Sequence, residues 1–146
     1  MDDDPHDLQR FVEAQARIYD GALAELRAGR KTSHWMWFIF PQAAGLGASP
    51  MAQRYAIASL DEAQAYLSHP VLGPRLMACV EAVNALDGLS AEAIFGDIDA
   101  MKLRSSLTLF AAAAPGARGF RTALAKYFGG GPDARTLKLL ELSALP

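Results

Sequence analysis

Helix-starting and helix-stopping residues recur along the whole chain and confine it to short helical segments. Ser49-Pro50 pairs a capping hydroxyl with a proline in the first helical turn. Ser59-Leu60-Asp61-Glu62 reads as a capping box. His69-Pro70 opens a further helix that Gly88 ends, and Ser90 caps a short one that Gly96 closes. Asp97 is placed to cap a long helix to about Ala114, stopped by Pro115-Gly116. Gly129-Gly130-Gly131-Pro132 breaks the next, and Asp133 caps the last.

Between these signals the apolar residues follow helical spacing. Leu8, Phe11, Val12, Ile18, Tyr19, Ala22 and Leu26 share one face of a predicted first helix, which runs from a cap at Asp7 to Gly29. Leu72, Leu76, Cys79, Val80, Val83 and Leu86 form a second stripe, and Phe120, Leu124, Tyr127 and Phe128 a third. The chain has 28 alanines and 19 leucines against 13 Val, Ile and Thr together, which favours helix over strand. The expectation is an all-α fold: a compact single-domain bundle of about seven helices of uneven length, spanning residues 1–146 with 1–6 as a frayed N-terminus.

Charge and cysteine content exclude several classes of function. The net charge is −2 with a pI near 5.9, so no strong basic field exists to hold a nucleic-acid backbone. The start Met1-Asp2-Asp3-Asp4-Pro5 is the reverse of a signal peptide, and no apolar run reaches the ~18 residues of a membrane span. One cysteine, Cys79, leaves no internal disulfide, and a cytoplasmic location is the simplest expectation. The histidines lack an H-x-x-x-H spacing and Cys79 has no ligand partner nearby, so neither a metal site nor a cofactor is expected.

The densest chemistry lies in Lys31-Thr32-Ser33-His34-Trp35-Met36-Trp37-Phe38-Ile39-Phe40-Pro41-Gln42, followed by the Gly45-Leu46-Gly47 turn. With no good second strand in the chain, Trp35 to Phe40 is predicted as a short helix or buried loop that ends before Pro41. Trp35 and Trp37 offer flat apolar walls, and His34 and Gln42 offer directional hydrogen bonds. His34 is the candidate for acid–base work if a reaction occurs. Each of these residues also has a plainer reading. Either tryptophan alone is ordinarily core, His34 can be structural, and Gly45 and Gly47 can simply make a turn. Gln15, within the first apolar stripe, ordinarily lies at the core edge and reaches solvent; the sharper reading points it into a pocket.

A second constellation is Lys102, Ser105, Ser106 and Leu109, which share a face of the long helix. A solvated face is the ordinary explanation, and an anion contact by Lys102 and Ser105 the sharper one. Arg104 points elsewhere and is expected to be exposed. Asp97 and Asp99 diverge and read as first-turn charge.

The run Gly29-Arg30-Lys31 through His34-Trp35-Met36-Trp37-Phe38-Ile39-Phe40-Pro41-Gln42 resembles the signature of a bacterial family of unknown function, some of whose members carry the label calpastatin. Gly45-Leu46-Gly47, Tyr55, the stretch 66–73 and the stretch from 99–103 to 108–110 are similar to it too. The resemblance spans nearly the whole chain and implies a compact all-helical domain, with no activity attached. A calpain inhibitor of the calpastatin kind would be long, polar and disordered, whereas this chain is 51% hydrophobic. The resulting expectation is a pocket for a small anionic or nucleotide-like metabolite, using His34, Trp35, Trp37, Gln42, Gly45, Gly47, Lys102 and Ser105. The alternative is a non-catalytic interaction or assembly module with the aromatic segment as its interface. The sequence leaves the oligomeric state open.

Overall fold

The computed structural model describes residues 4–146. Their named elements are ten helices: α1 (Gln9–Gln15), α2 (Tyr19–Ala28), α3 (Met36–Ile39), α4 (Pro50–Arg54), α5 (Leu60–Ser68), α6 (Leu72–Ala85), α7 (Ala91–Phe95), α8 (Asp97–Ala113), α9 (Arg118–Phe128) and α10 (Ala134–Leu139). The all-α expectation holds, but the number of helices is ten rather than about seven. The difference lies mainly where the predicted first helix divides into α1 and α2 and where the aromatic segment forms a helix of a single turn, α3, too short to leave a periodic stripe in the sequence.

The predicted first helix is two. Residues 16–18 tighten into turns, with Ala16 N–H donating to Glu13 O and Ile18 N–H to Gln15 O. The break accompanies full burial of Gln15. Its side-chain amide donates to Phe38 O (2.7 Å) and Tyr66 Oη (3.1 Å), and its Oε1 accepts from Arg75 (3.3 Å). Gln15 is thus neither a solvent-reaching edge residue nor a pocket liner. It links α1, α3, α5 and α6.

The N-terminal cap differs as well. Asp4, not Asp7, receives the free backbone donors, Leu8 N–H at 2.7 Å and Gln9 N–H at 2.9 Å. Residues 4–6 are therefore tied down rather than frayed, while 1–3 lie outside the described residues. Asp7 has φ 51° and offers its carbonyl to Arg10. The Arg10 guanidinium also donates to Arg54 O and Ala56 O and pairs with Glu62 at 2.8 Å, both side chains being largely buried. Glu62 in turn accepts from Ala58 N–H and is itself held by the Ser59 cap.

Other caps follow the sequence. Ser49, Ser59, Ser90 and Asp133 each accept a hydrogen bond from the backbone of the first turn, and His69 Nδ1 accepts from Val71 and Leu72 at the start of α6. Asp97 does not cap α8. It is the first helical residue behind Gly96, whose φ of 81° favours glycine. Arg104 is not simply exposed: its Nε donates to Gly131 O at 2.9 Å and holds the glycine turn after α9.

Helix α8 is the axis of the bundle. Eleven of its 17 residues are buried, and α5, α7, α9 and α10 pack around it. Helix α6 packs against α2, α5 and α9. One contiguous apolar cluster runs from Leu8 through Trp35, Tyr66, Val80 and Phe110 to Leu124. At the α5–α6 corner the chain passes so close to itself that a Cβ on Gly73 would lie 2.0 Å from the Leu67 carbonyl oxygen. Backbone cannot move aside as a side-chain tip can. Gly73→Ala is accordingly expected to cost about 3 kcal/mol or more, measured as a lowered midpoint in urea unfolding followed by circular dichroism.

Candidate functional site

The aromatic segment is positioned by Glu25, a residue on α2 that no local motif singles out. Its carboxylate accepts from Thr32 N–H (2.6 Å), Ser33 N–H (3.0 Å), the Ser33 hydroxyl and Trp35 Nε1–H (3.1 Å). Partial burial pushes the Glu25 pKa up, but the hydrogen bonds from Ser33, Thr32 and Trp35 outweigh it and hold the group at about 2, below its ordinary 4.5. Trp35 is then drawn into the core, 1% exposed, among Phe40 and Phe95. Helix α3 is a single turn ended at Phe40 before Pro41, as the proline predicts.

Beyond Pro41 the chain forms an isolated parallel bridge between Ala43 and Ile57. Ile57 N–H donates to Gln42 O and Ala44 N–H to Ile57 O, both at 2.8 Å. This fixes Gln42 at the edge of a cavity. Gly47 lets the loop close over α4, since a Cβ there would lie 2.5 Å from the Ala52 Cβ.

The cavity lies between this loop, α8 and the start of α10, and its volume is about 330 Å3. Trp37, Leu46, Ile98 and Met101 supply apolar walls, and Gln42, Ser105, Lys102, Asp133 and Arg135 supply polar ones. A second groove of about 510 Å3 adjoins it, sharing Trp37, Ile98 and Lys102 and adding Lys31, His34, Trp35 and Asp99. Residues 34 and 102, far apart in sequence, therefore border the same depression. Trp37, Gln42, Gly47, Lys102 and Ser105 line the first cavity; His34 and Trp35 line only the second; Gly45 lines neither. His34 is exposed, whereas Trp35 gives the groove almost no surface.

Asp99 does more than supply first-turn charge. Its two oxygens bind Lys31 Nζ (2.9 Å) and Lys102 Nζ (3.5 Å). Each ammonium also sits over an indole, Lys31 over Trp35 at 5.0 Å and Lys102 over Trp37 at 4.9 Å. Lys31, Asp99 and Lys102 together thus carry one net positive charge beside Trp37. The expected solvated face of α8 is instead mostly buried, with Lys102 half-buried at the cavity wall. Ser105 and Ser106 are buried, and the Ser105 hydroxyl meets Thr136 Oγ1 at 2.9 Å. Thr136 Oγ1 donates onward to Asp133 Oδ2 at 2.6 Å.

Sequence reasoning assigned no site role to Glu25, Lys31, Asp99, Asp133, Arg135 or Thr136: Asp133 is legible there only as a cap, Asp99 only as first-turn charge, and Lys31 only as the start of the aromatic segment. Among the described residues no three of His, Cys, Asp and Glu cluster as metal ligands would. The buried Cys79 thiol is pushed up to about 12 by desolvation, so it is protonated and unreactive at neutral pH. No helix among the described residues is long and apolar enough to cross a membrane.

Residues 5–140 match the family described as "Protein of unknown function (DUF1810)", and the chain belongs to that family. It is similar to the conserved hypothetical protein Rv1873 from Mycobacterium tuberculosis, whose crystal structure superposes with a TM-score of 0.94 at 58% identity, over 96% of this chain and 100% of that one. No curated protein matches.

Two outcomes are expected from this geometry. In single-tryptophan variants, acrylamide should quench Trp37 (in Trp35→Phe) several-fold more efficiently than Trp35 (in Trp37→Phe). Glu25→Gln should lose roughly 1–2 kcal/mol at pH 7, a charged hydrogen-bond acceptor discounted for solvent access. Because folding lowers the Glu25 pKa, its contribution is full above about 4.5 and disappears as pH falls through about 2. The gap between wild type and variant in denaturant titrations should narrow over that window.

Proposed function

We propose that this protein binds a small anionic, nucleotide-like metabolite in the cavity between the 42–49 loop and α8. The observation that carries the reading is the convergence of an indole face, an amide, a hydroxyl and two cations on one concave space. Trp37, Gln42, Ser105, Lys102 and Arg135 supply them from three separate parts of the chain. A volume near 330 Å3 lies at the low end of small-molecule sites, and mostly apolar walls with a few convergent polar groups are their usual form. Arg135 has no ion-pair partner among the described residues, and Lys102 shares its partner Asp99 with Lys31. Both cations are thus available to an acidic group. Trp35 and Glu25 act from beneath, by fixing the backbone that presents Trp37. His34, exposed in the adjoining groove, would be the candidate for proton transfer to a ligand extending that way.

A second reading is an interaction or assembly module. The observation favouring it is the exposure of Ile98 (72%) and Met101 (70%), one helical turn apart at the cavity mouth. Burial of Trp35 weighs against the aromatic segment itself as that interface.

A thermal-shift screen against nucleotides, nucleotide sugars, sugar phosphates and other anionic metabolites tests the first reading. A ligand at about 100 times its Kd stabilises by about 2.7 kcal/mol, which for a chain of this size raises Tm by roughly 5–10 °C. The shift should vanish in Lys102→Ala and in Arg135→Ala. A blank screen with folded protein, together with an oligomer in light scattering that Ile98→Asp dissociates, would establish the second reading instead.

A further inference from the structure

The hydroxyl chain at the cavity wall has a fixed direction. Asp133 is a carboxylate and can only accept, and its Oδ2 takes hydrogen bonds from both Thr136 N–H (2.9 Å) and Thr136 Oγ1–H (2.6 Å). Thr136 has one hydroxyl proton, and it is spent on Asp133. The 2.9 Å contact between Ser105 and Thr136 must therefore carry the Ser105 proton. Ser105 Oγ, with its own proton turned toward α10, keeps only acceptor capacity. Asp133 lines the same cavity and is likewise an acceptor. Among the polar side chains that line the cavity, Ser105 and Asp133 accept, whereas Lys102, Arg135 and the Gln42 amide can donate.

We propose that the cavity selects a planar acid bearing an N–H or O–H donor, read by Ser105 as an obligate hydrogen-bond acceptor whose polarity is set by Thr136 and Asp133. The inference rests on the small-ligand reading above and adds the ligand's chemistry. The acidic group would meet Lys102 and Arg135, the flat ring Trp37, and the donor Ser105. The site would then exclude an otherwise identical molecule with an ether oxygen or ring oxygen in place of the donor, because two lone pairs would face each other with no proton between them. Thr136 is a positioning residue here. It is fully buried, and valine matches its shape while removing the acceptor that captures the Ser105 proton. In Thr136→Val, Ser105 would regain a proton to offer, and the cap on the residue 136 N–H would remain.

The probes are indole-3-acetate and benzofuran-3-acetate, which differ in shape hardly at all but exchange a ring N–H for a ring oxygen. Their Kd values are measured by titration calorimetry on wild type, Thr136→Val, Thr136→Ser and Lys102→Ala, with circular dichroism to verify folding. Wild type and Thr136→Ser, which keeps the hydroxyl chain, should bind the indole about tenfold tighter than the benzofuran, one hydrogen bond's worth of discrimination. Thr136→Val should erase or invert that preference, and Lys102→Ala should weaken both probes alike. Equal affinity for the two probes in wild type, or a preference untouched by Thr136→Val, overturns the donor-reading inference while leaving the cavity intact. No binding of either probe at millimolar concentration also overturns it, and the cavity reading then stands or falls on the metabolite screen with Lys102→Ala.

Discussion

A single carboxylate organises the part of this protein that matters for binding. The aromatic segment must bury Trp35, Met36, Ile39 and Phe40, yet its first residues form no helix that would satisfy their own backbone donors. The Thr32 and Ser33 N–H groups lie at the exposed rim and would otherwise bond only to water. Glu25 accepts from both of them, from a hydroxyl and from the Trp35 indole, so burial of the indole and closure of the 31–35 loop become one event. With Trp35 held inward, its neighbour two residues on faces the cavity. Everything the cavity offers on that side, the Trp37 face and the lysine lying over it, depends on this arrangement.

The other polar groups drawn inward serve the same end. Gln15 ties the carbonyl of Phe38 to the Tyr66 hydroxyl, and Arg10 gathers carbonyls from residues 54 and 56 while pairing with Glu62. Both lie on α1 and both reach the chain segments flanking the loop that carries Gln42. A bundle of short helices has few long contact ridges to fix its geometry. Here directional hydrogen bonds from buried side chains supply the registration that long helices would obtain by packing.

Much of the fold was legible because capping is local. Ser49, Ser59, Ser90 and Asp133 mark helix starts by chemistry confined to four residues, and the structure uses each one. The failures were of another kind. Asp7 has the same local credentials as Asp4 but adopts φ 51°, and the periodicity from Leu8 to Leu26 ran straight through a break that Gln15 accompanies with contacts 23 and 51 positions away. The candidate site divides in the same manner. The tryptophans, Gln42, Lys102 and Ser105 stood out by residue type. Glu25, Asp99 and Thr136 did not, because a glutamate on a helix face, an aspartate in a first turn and a threonine near a C-terminus are all ordinary until tertiary contacts assign them partners.

The two sides of the cavity are also unequal in stiffness. Helix α8 carries Lys102 and Ser105 on a 17-residue frame surrounded by other helices, whereas Gln42 rests on a bridge of two hydrogen bonds between Ala43 and Ile57. Short, isolated pairings of that sort open at far lower free energy than a packed central helix. A bound molecule would therefore meet one fixed template and one adaptable jaw. Part of its binding energy would go into setting the jaw, and molecules of somewhat different girth would be accommodated by that side alone.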